Sequence, residues 1–303
     1  MRGVLDRIER AHRPAFHTMT PRLAKFAYEA ASEVLEFPRA PLARIEDLTI
    51  PAVDGTALQA RLYAPREGRL PVMLYLHGGG FTIGSLETHD SLCRQLALRS
   101  DAAVVALAYR LAPEHRFPVA VEDSWAAMRW LAEHASSWGL DSSRLAVGGD
   151  SAGGTLATVC ALHARDIGLT LALQLLITPG TAATASFPSR ARFARGFLLD
   201  AVTIDWFFEQ YLVVEGRHDW RFAPLEAPDL EGVAATCLVL AECDGLVDEG
   251  LAYGDRLRAA GVPVQLELLR GVTHDFIKMG RVLPEADAAQ AAIGHALKEA
   301  FST

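Results

Sequence analysis

Gly149-Asp150-Ser151-Ala152-Gly153 lies between an apolar run at 145–147 and a helix-like run at 155–164. A G-x-S-x-G pattern in this context is typical of a strand, a sharp turn and a helix that raise a serine above a sheet. Such a tight turn crowds its neighbours, and the two outer glycines remove side chains that would collide. Ser151 is therefore a candidate nucleophile, although a five-residue pattern needs support from the rest of the chain.

A second glycine-rich stretch, His77-Gly78-Gly79-Gly80-Phe81, directly follows the apolar run at 72–76. Acyl transfer places negative charge on a carbonyl oxygen, and unobstructed backbone N–H groups are suitable donors for that charge. Three successive glycines supply such a loop. A flexible turn is the alternative, but the G-x-S-x-G pattern on the next-but-one strand favours an oxyanion loop.

Composition limits the class of protein and its partners. The 303 residues can bury one large core, and the net charge of −8 argues against nucleic acid or an anionic membrane as the main partner. Charges interrupt the first residues, and no run approaches the roughly 18 apolar residues of a membrane span. We expect a cytoplasmic protein without stable membrane insertion. Four cysteines without C-x-x-C spacing are expected to be reduced core thiols: Cys93, Cys160, Cys237 and Cys243.

From residue 45 onward, apolar runs alternate with helical stretches. This order predicts an α/β fold with a mostly parallel sheet covered by helices on both faces. The expected elements are a hairpin of 45–50 and 58–63 around Asp54-Gly55, strands at 72–76 and 102–108, helices at 90–99 and 119–135, the strand and helix around Ser151, strands at 169–177, 237–241 and 262–269, and helices at 248–260 and 285–300.

Two segments break this alternation. Residues 1–43 are predicted to be helical and amphipathic, with an apolar face formed by Phe16, Leu23, Phe26, Ala27 and Ala30. The aromatic-rich stretch at 182–214 follows a strand end, where insertions shape the ligand crevice of open α/β sheets. It is therefore predicted to be a lid, the alternative being a helical insertion that packs only on itself.

A serine nucleophile needs an imidazole base held by a carboxylate. His274 follows the strand expected to end at Leu269, where a base could reach Ser151. Other histidines are expected to have surface or packing roles: His12, His17, His89, His134, His163, His218 and His295. Asp244, beside Gly245 and past a strand end, is favoured as the acid over Glu242, and Asp248 and Glu249 resemble helix-start charges.

Four motifs in order make the chain similar to the bacterial hormone-sensitive-lipase-like esterases over essentially its whole length. The motifs are the 77–81 loop, the 149–154 elbow, the 109–118 stretch YRLAPEHRFP and the acid-containing segment 244–250. This resemblance implies an α/β-hydrolase fold with the triad Ser151, Asp244 and His274. It also implies an oxyanion hole formed by the N–H groups of Gly79, Gly80 and Ala152.

The resemblance further implies that an N-terminal helical segment and a later insertion together form a cap. The expected division is 1–43 and 182–218 for the cap, and 44–181 and 219–303 for the core. Family members usually carry Pro after the acid, whereas this chain has Gly245, so Asp248 stays open as the alternative acid. The Glu114-His115-Arg116 segment is interpreted as a structural loop that supports the oxyanion strand.

The leading hypothesis is a serine carboxylesterase that hydrolyses short- to medium-chain esters through an acyl-enzyme. Its partner would be a small-molecule ester, with no metal, no cofactor and no nucleic acid. An amidase or acyl-peptide hydrolase with the same triad remains open, as does a homodimer. A ligand-binding protein on a hydrolase scaffold is disfavoured, because Ser151, Asp244 and His274 are all present.

Overall fold

The computed structural model describes residues 1–184, 186–213 and 216–302, and within these ranges one eight-stranded sheet forms the core. The strands are β1 (Arg44–Pro51), β2 (Ala57–Ala64), β3 (Leu70–Leu76), β4 (Ala103–Leu107), β5 (Leu140–Asp150), β6 (Leu173–Ile177), β7 (Thr236–Cys243) and β8 (Val264–Thr273). Their spatial order is β1-β2-β4-β3-β5-β6-β7-β8. β2 pairs antiparallel with β1 and β4, whereas all later pairs are parallel, so the expectation of a mostly parallel sheet is confirmed.

The helices of the described residues are α1 (Arg2–Arg10), α2 (Pro21–Ala31), α3 (Asp90–Ser100), α4 (Val119–His134), α5 (Ala152–Asp166), α6 (Pro188–Arg192), α7 (Ala201–Tyr211), α8 (Val247–Ala259) and α9 (Pro284–Ala300). The helices α4, α5 and α8 cover one face of the sheet, and α3 and α9 cover the other. Side chains of β3 alternate between the faces, as the twofold period of a strand requires. Val72, Leu74 and Leu76 belong to the core cluster on the face of α4, α5 and α8, and Met73 and Tyr75 belong to the cluster on the face of α3 and α9.

The sheet register brings the two glycine-rich motifs together. β3 pairs with β5, and Leu76 at the end of β3 lies opposite Gly149 at the end of β5. Because parallel strands end at the same edge, the loop that starts at His77 and the turn at Ser151 lie side by side. The fold thus places the motifs next to each other although Gly78 and Asp150 are 72 positions apart along the chain.

Several strand boundaries differ from the sequence expectation, and the start of β6 and the end of β8 differ by four residues. β6 begins at Leu173 rather than 169, because Leu169 N–H bonds to Ala164 O and completes the end of α5. β8 does not end at Leu269 but continues to Thr273. A register shift in β7 next to Cys243 allows this extension, and the Glu242 carboxylate accepts the N–H of Gly271 at 2.8 Å there.

The expected apolar face of the N-terminal segment is wrong for α2. Leu23 and Phe26 are 57% and 72% exposed, whereas Ala24 is fully buried against Ile83 and Phe207. A methyl group fits this close approach of α2 to the rest of the protein, and the side chains of Leu23 and Phe26 point outward. In the described part of the chain, no helix is long and apolar enough to cross a membrane.

The cysteines and the inserted segment differ in part from the sequence predictions. All four cysteines are unpaired, and three are buried, but Cys243 is partly exposed at the end of β7. The predicted lid at 182–214 contains α6 and α7, while Val214 at its boundary lies outside the described residues, as do Ala185, Glu215 and Thr303 within the expected domain ranges.

Candidate active site

Ser151 lies at a strained turn between β5 and α5. Its backbone has φ +53° and ψ −120°, a conformation that a residue with a Cβ adopts only when its surroundings impose it. A Cβ at Gly149 would collide with the backbone of Gly153 and with the carbonyl of Leu76. A Cβ at Gly153 would collide with the same carbonyl, so both glycines are required for the turn.

Three side chains from three strand ends form one hydrogen-bonded chain. His274 Nε2 lies 2.9 Å from Ser151 Oγ, and His274 Nδ1 lies 2.7 Å from Asp244 Oδ2. The second carboxylate oxygen of Asp244 accepts the N–H of Leu246 at 3.0 Å, which fixes the orientation of the carboxylate. His274 and Asp244 are 4% and 2% exposed. The structure therefore brings together the three residues that the sequence selected.

The electrostatic surroundings of His274 favour the charged form of its imidazole. Burial alone would lower the pKa of His274, but the charge of Asp244 and its hydrogen bond outweigh burial and raise the pKa to about 9. An Asp–His pair in a buried site is therefore well suited to stabilise the imidazolium that forms when Ser151 loses its proton.

The alternative acid, Asp248, does not contact His274. Asp248 Oδ2 accepts the N–H of Ser189 at 2.8 Å and so binds α6 to the start of α8. Glu249 is also more than a helix-start charge, because its buried carboxylate accepts the N–H groups of Thr181 and Ala182 at 2.6 and 3.1 Å. Burial raises the pKa of Glu249 to about 7. Both acids anchor the inserted segment, a role that the sequence analysis missed.

The loop after β3 presents free backbone donors beside Ser151. Gly79 and Gly80 have φ of +120° and +57°, and their N–H groups have no hydrogen-bond partner within the described ranges. Ala152 is the first residue of α5, so its N–H has no intrahelical acceptor. A Cβ at Gly79 would collide with the carbonyl of Ile83, and one at Gly80 with the ring of Phe207. Glycine is thus needed at both positions.

Two tyrosines and Asp150 support this loop from behind. Tyr109 donates to the carbonyl of His77 at 2.7 Å, and the two rings stack at 4.4 Å. Asp150 accepts the hydroxyl of Tyr75 at 2.7 Å and the N–H of Gly78 at 3.0 Å. Sequence analysis assigned no role to Asp150, although its place beside Ser151 in a buried strand was a usable signal.

The 109–118 stretch supports the loop through residues other than those expected. Ala112 N–H bonds to the carbonyl of Phe81 at 2.9 Å. Glu114 instead forms an ion pair with Lys25 of α2 at 2.8 Å. The interpretation of Glu114-His115-Arg116 as a support for the oxyanion strand is therefore wrong for Glu114, which contacts the N-terminal segment.

Residues of the N-terminal segment and of the insertion meet above the glycine loop. His17 Nδ1 lies 3.0 Å from the hydroxyl of Thr203 on α7, and the rings of Phe16 and Phe207 are 6.5 Å apart. Phe207 also packs with Ala24 and Ile83. The insertion therefore does not pack only on itself. No group of three His, Cys, Asp or Glu side chains suited to a metal ion occurs among the residues that the structure covers.

Comparisons with known proteins identify the family and the fold of the chain. A family model described as the alpha/beta hydrolase fold matches residues 73–278. Ethyl acetate hydrolase of Pseudomonas putida is 44% identical over 262 residues, which is 84% of this chain and 82% of that protein. Carboxylesterase NlhH of Mycobacterium tuberculosis is 42% identical over 269 residues, covering 86% and 84%. An ester hydrolase from the metagenome of Lake Arreo, solved with a bipyridine phosphonate derivative, has a TM-score of 0.95 at 37% identity and covers 100% of this chain and 98% of its own.

Proposed function

Because the chain belongs to the α/β-hydrolase family, among its hormone-sensitive-lipase-like esterases, and is a carboxylic ester hydrolase, we propose that Ser151, His274 and Asp244 carry its reaction. The hydrogen-bonded chain from Ser151 Oγ through His274 to Asp244 is the observation that carries this proposal. The preferred substrates are soluble esters with short to medium acyl chains.

In the proposed acylation step, His274 Nε2 accepts the proton of Ser151 while Oγ attacks the ester carbonyl carbon. The carbonyl oxygen becomes an oxyanion, which the N–H groups of Gly79, Gly80 and Ala152 stabilise. The intermediate then collapses, the imidazolium gives its proton to the leaving alcohol, and the acyl group remains on Ser151. Asp244 holds the ring and stabilises its positive charge.

In the proposed deacylation step, a water molecule gives a proton to His274 Nε2 and attacks the acyl carbon. A second oxyanion forms in the same N–H array, and its collapse releases the carboxylic acid. His274 returns the proton to Ser151 Oγ, which restores the starting state. Every proton is accounted for by the ester, the water and the three side chains, and the sequence expectation of no cofactor stays a prediction.

We also propose that 1–43 and 182–218 form the cap of a core made of 44–181 and 219–303. The His17–Thr203 contact and the packing of Ala24 against Phe207 support a shared cap. Asp248 and Glu249 join the insertion to the core close to Asp244. The cytoplasmic location and the homodimer stay as predictions from the sequence.

A comparison of matched esters and amides tests the proposed activity. We expect kcat/KM for p-nitrophenyl butyrate to exceed that for p-nitrobutyranilide, which has the same acyl group and an amine leaving group, by at least about 100-fold. Equal values for the two substrates, or a preference for the anilide, would replace the proposal with an amidase.

Acyl-chain length should have an optimum of about four to eight carbons. Each buried methylene gains about 0.8 kcal/mol until the acyl chain meets the wall of a closed pocket, and further length then costs strain. The measurement is kcat/KM for p-nitrophenyl esters of two to sixteen carbons, below their aggregation limits. Faster hydrolysis of emulsified long-chain triglyceride than of these esters would contradict the prediction.

A matched pair of variants tests whether the cap sets this optimum. Phe207→Leu changes a buried ring above Gly80 and should shift the chain-length profile. Phe26→Leu makes the same substitution at a side chain that is 72% exposed on α2, and it should leave the profile unchanged. An equal shift of the chain-length profile in both variants would contradict the prediction that Phe207 limits the length of the acyl pocket.

Activity should increase with pH, and the increase should continue to a higher pH than the ordinary pKa of histidine would predict. The base must be neutral to accept the serine proton, and its pKa is raised to about 9 in the folded protein. We expect kcat/KM on a soluble ester to increase between pH 6 and 9, with a midpoint above about 6.5, the ordinary histidine value. A flat profile from pH 5 to 8 with an intact circular dichroism spectrum would exclude His274 as the base.

The raised pKa of His274 also makes stability depend on pH, and this contribution to stability falls as the pH rises. Because the folded pKa of His274 exceeds the unfolded value, the stabilisation by its charge is fully present below about pH 6.5. This contribution is lost as the pH rises through about 9. Activity and this part of the free energy of unfolding should therefore change in opposite senses over the same interval.

A further inference from the structure

A second buried carboxylate–imidazole pair lies outside the triad. Asp150 Oδ2 is 3.2 Å from His89 Nε2, and the two side chains are 2% and 1% exposed. The other oxygen of Asp150 accepts the hydroxyl of Tyr75 and the N–H of Gly78. The sequence analysis treated His89 as a packing residue, and the reaction described above gives it no role.

The hydrogen bonds of Thr88 decide how many protons His89 carries. Thr88 Oγ1 has a single proton, and its contact of 2.9 Å with the carbonyl of Ser85 requires that proton, since a carbonyl oxygen only accepts. The same Oγ1 accepts the N–H of Ser85 and lies 2.8 Å from His89 Nδ1. Nδ1 must therefore donate to Thr88. Nε2 faces a carboxylate oxygen and must donate as well, which makes His89 an imidazolium.

The proton between His89 Nε2 and Asp150 Oδ2 could belong to the carboxylate instead of the imidazole. The surroundings of Asp150 favour its ionised form and so oppose this alternative. Burial alone would raise the pKa of Asp150, but its contacts with His89, the hydrogen bond from Tyr75 and the charge of Lys278 hold it well below the usual range. The contributions of Tyr75 and Lys278 do not depend on the charge of His89. Burial and the charge of His89 lower the pKa of His77 to about 3, so His77 is neutral. Further titratable groups interact electrostatically with Asp150, and Lys278 and His274 are the positively charged ones among them: Tyr28, Glu36, Tyr75, Cys93, Tyr109, His274 and Lys278.

We propose that His89 is a positioning residue of the ester-hydrolysis site, an imidazolium that fixes the Asp150 carboxylate and, through it, the Gly78 to Gly80 loop. The proposal rests on the proposed function. A Cβ at Gly78 would collide with the Asp150 carboxylate, so backbone and carboxylate are in direct contact. The charge-assisted bond to Gly78 N–H holds the start of the loop, and oxyanion stabilisation depends on donors that are already in place before the charge develops.

The protonation of His89 is tested by NMR on the full-length protein labelled with ¹⁵N-histidine. His89→Gln assigns the resonances of His89 by their loss. Two protonated ring nitrogens at pH 7 are the expected result, because Nδ1 donates to Thr88 and Nε2 donates to Asp150. A ring with one protonated nitrogen would overturn the proposal, and this readout does not depend on esterase activity.

Kinetics test the positioning role. His89→Gln keeps a donor near Asp150 but loses the charge, and we expect kcat on p-nitrophenyl butyrate to fall by about 10- to 100-fold with KM within about threefold. This is less than the roughly 10² to 10³ that loss of an oxyanion-hole donor itself costs. His163→Gln, a matched change at a partly buried histidine that stacks on Trp125, should retain activity within about twofold. An unchanged kcat, or a change in KM alone, in His89→Gln would overturn the role.

Variants of Thr88 keep the test decisive if His89→Gln does not fold. Thr88→Val removes the acceptor of the Nδ1 proton, so it should lower kcat and leave the His89 ring with one protonated nitrogen at pH 7. Thr88→Ser restores the hydroxyl and should restore both readouts, whereas equal behaviour of the two variants would contradict the proposal. A wild-type protein without esterase activity would overturn the proposed function and the positioning role together, while the spectrum would still decide the charge of His89.

Discussion

Ser151→Ala should lower kcat by on the order of 10⁴ to 10⁶ and leave the fold intact, because the members of a triad act as a unit. Without Oγ, no atom is within reach of His274 Nε2 to attack the carbonyl, and only water activated in the same site could replace it. The N–H groups of Gly79, Gly80 and Ala152 remain, which explains why some rate enhancement over water should persist. Alanine can occupy the same strained backbone conformation, since the flanking glycines and the bond from residue 151 N–H to Ile177 O are unchanged.

The measurements are kcat on p-nitrophenyl butyrate, the unfolding midpoint, and mass spectrometry after treatment with a phosphonate ester. A stoichiometric adduct should map to Ser151 in the parent and be absent in the variant. Ser136→Ala, which removes the hydroxyl of an exposed serine, is the matched control and should retain full activity and labelling. An adduct at another residue, or more than about 1% of parental kcat in Ser151→Ala with contaminating enzyme excluded, would end the assignment of the nucleophile.

Much of the site was predictable because it depends on local constraints. The turn at Ser151 requires glycine at 149 and 153 for steric reasons, so the motif indicates its own geometry. The apolar runs that form β3 and β4 are fully buried, as expected for the centre of a parallel sheet. His274 and Asp244 follow strand ends, and parallel strand ends meet at one edge. These signals need no knowledge of distant contacts.

The features that sequence reasoning missed depend on contacts between distant segments. β8 reaches Thr273 because Glu242, 29 positions earlier, accepts the N–H of Gly271. Glu249 has the position of a helix-start charge, and only the approach of 181–182 buries it. The outward direction of Phe26 follows from the close approach of Ala24 to Phe207. Helical periodicity gives the spacing of an apolar face but does not say which side meets the protein.

Gly245 stands where the resemblance noted from the sequence predicts proline, and the surrounding contacts hold the loop without it. A Cβ at Gly245 would lie 3.6 Å from Arg190 Cδ and 3.8 Å from Ile204 Cδ1, which are ordinary contacts. The loop is held without proline, because Ser189 donates to the carbonyl of Gly245 at 2.8 Å and Asp244 accepts the N–H of Leu246. These two bonds hold the loop and orient the Asp244 carboxylate although residue 245 is glycine.

Asp244→Asn should lower kcat by on the order of 10⁴, whereas Asp248→Asn should stay within about tenfold of the parent. The N–H of Leu246 donates to one oxygen of Asp244, so an asparagine there must accept with its carbonyl and turn its NH₂ group toward His274 Nδ1. Nδ1 would then have to accept, and the ring would carry its proton on Nε2. In that tautomer Nε2 donates to Ser151 Oγ and cannot remove its proton.

Asp248→Asn is the matched control, because it makes the same isosteric change four residues away. Its carbonyl can still accept the N–H of Ser189, and the lost helix-start charge contributes about 1 kcal/mol or less. The measurements are kcat on a soluble ester and the ¹⁵N resonances of His274, which should show the Nε2-protonated tautomer in Asp244→Asn alone. If instead Asp248→Asn lost about 10⁴ in kcat while Asp244→Asn stayed nearly active, the two carboxylates would exchange roles. The 2.7 Å contact between His274 and Asp244 would then have to be replaced in solution by one that requires the start of α8 to move.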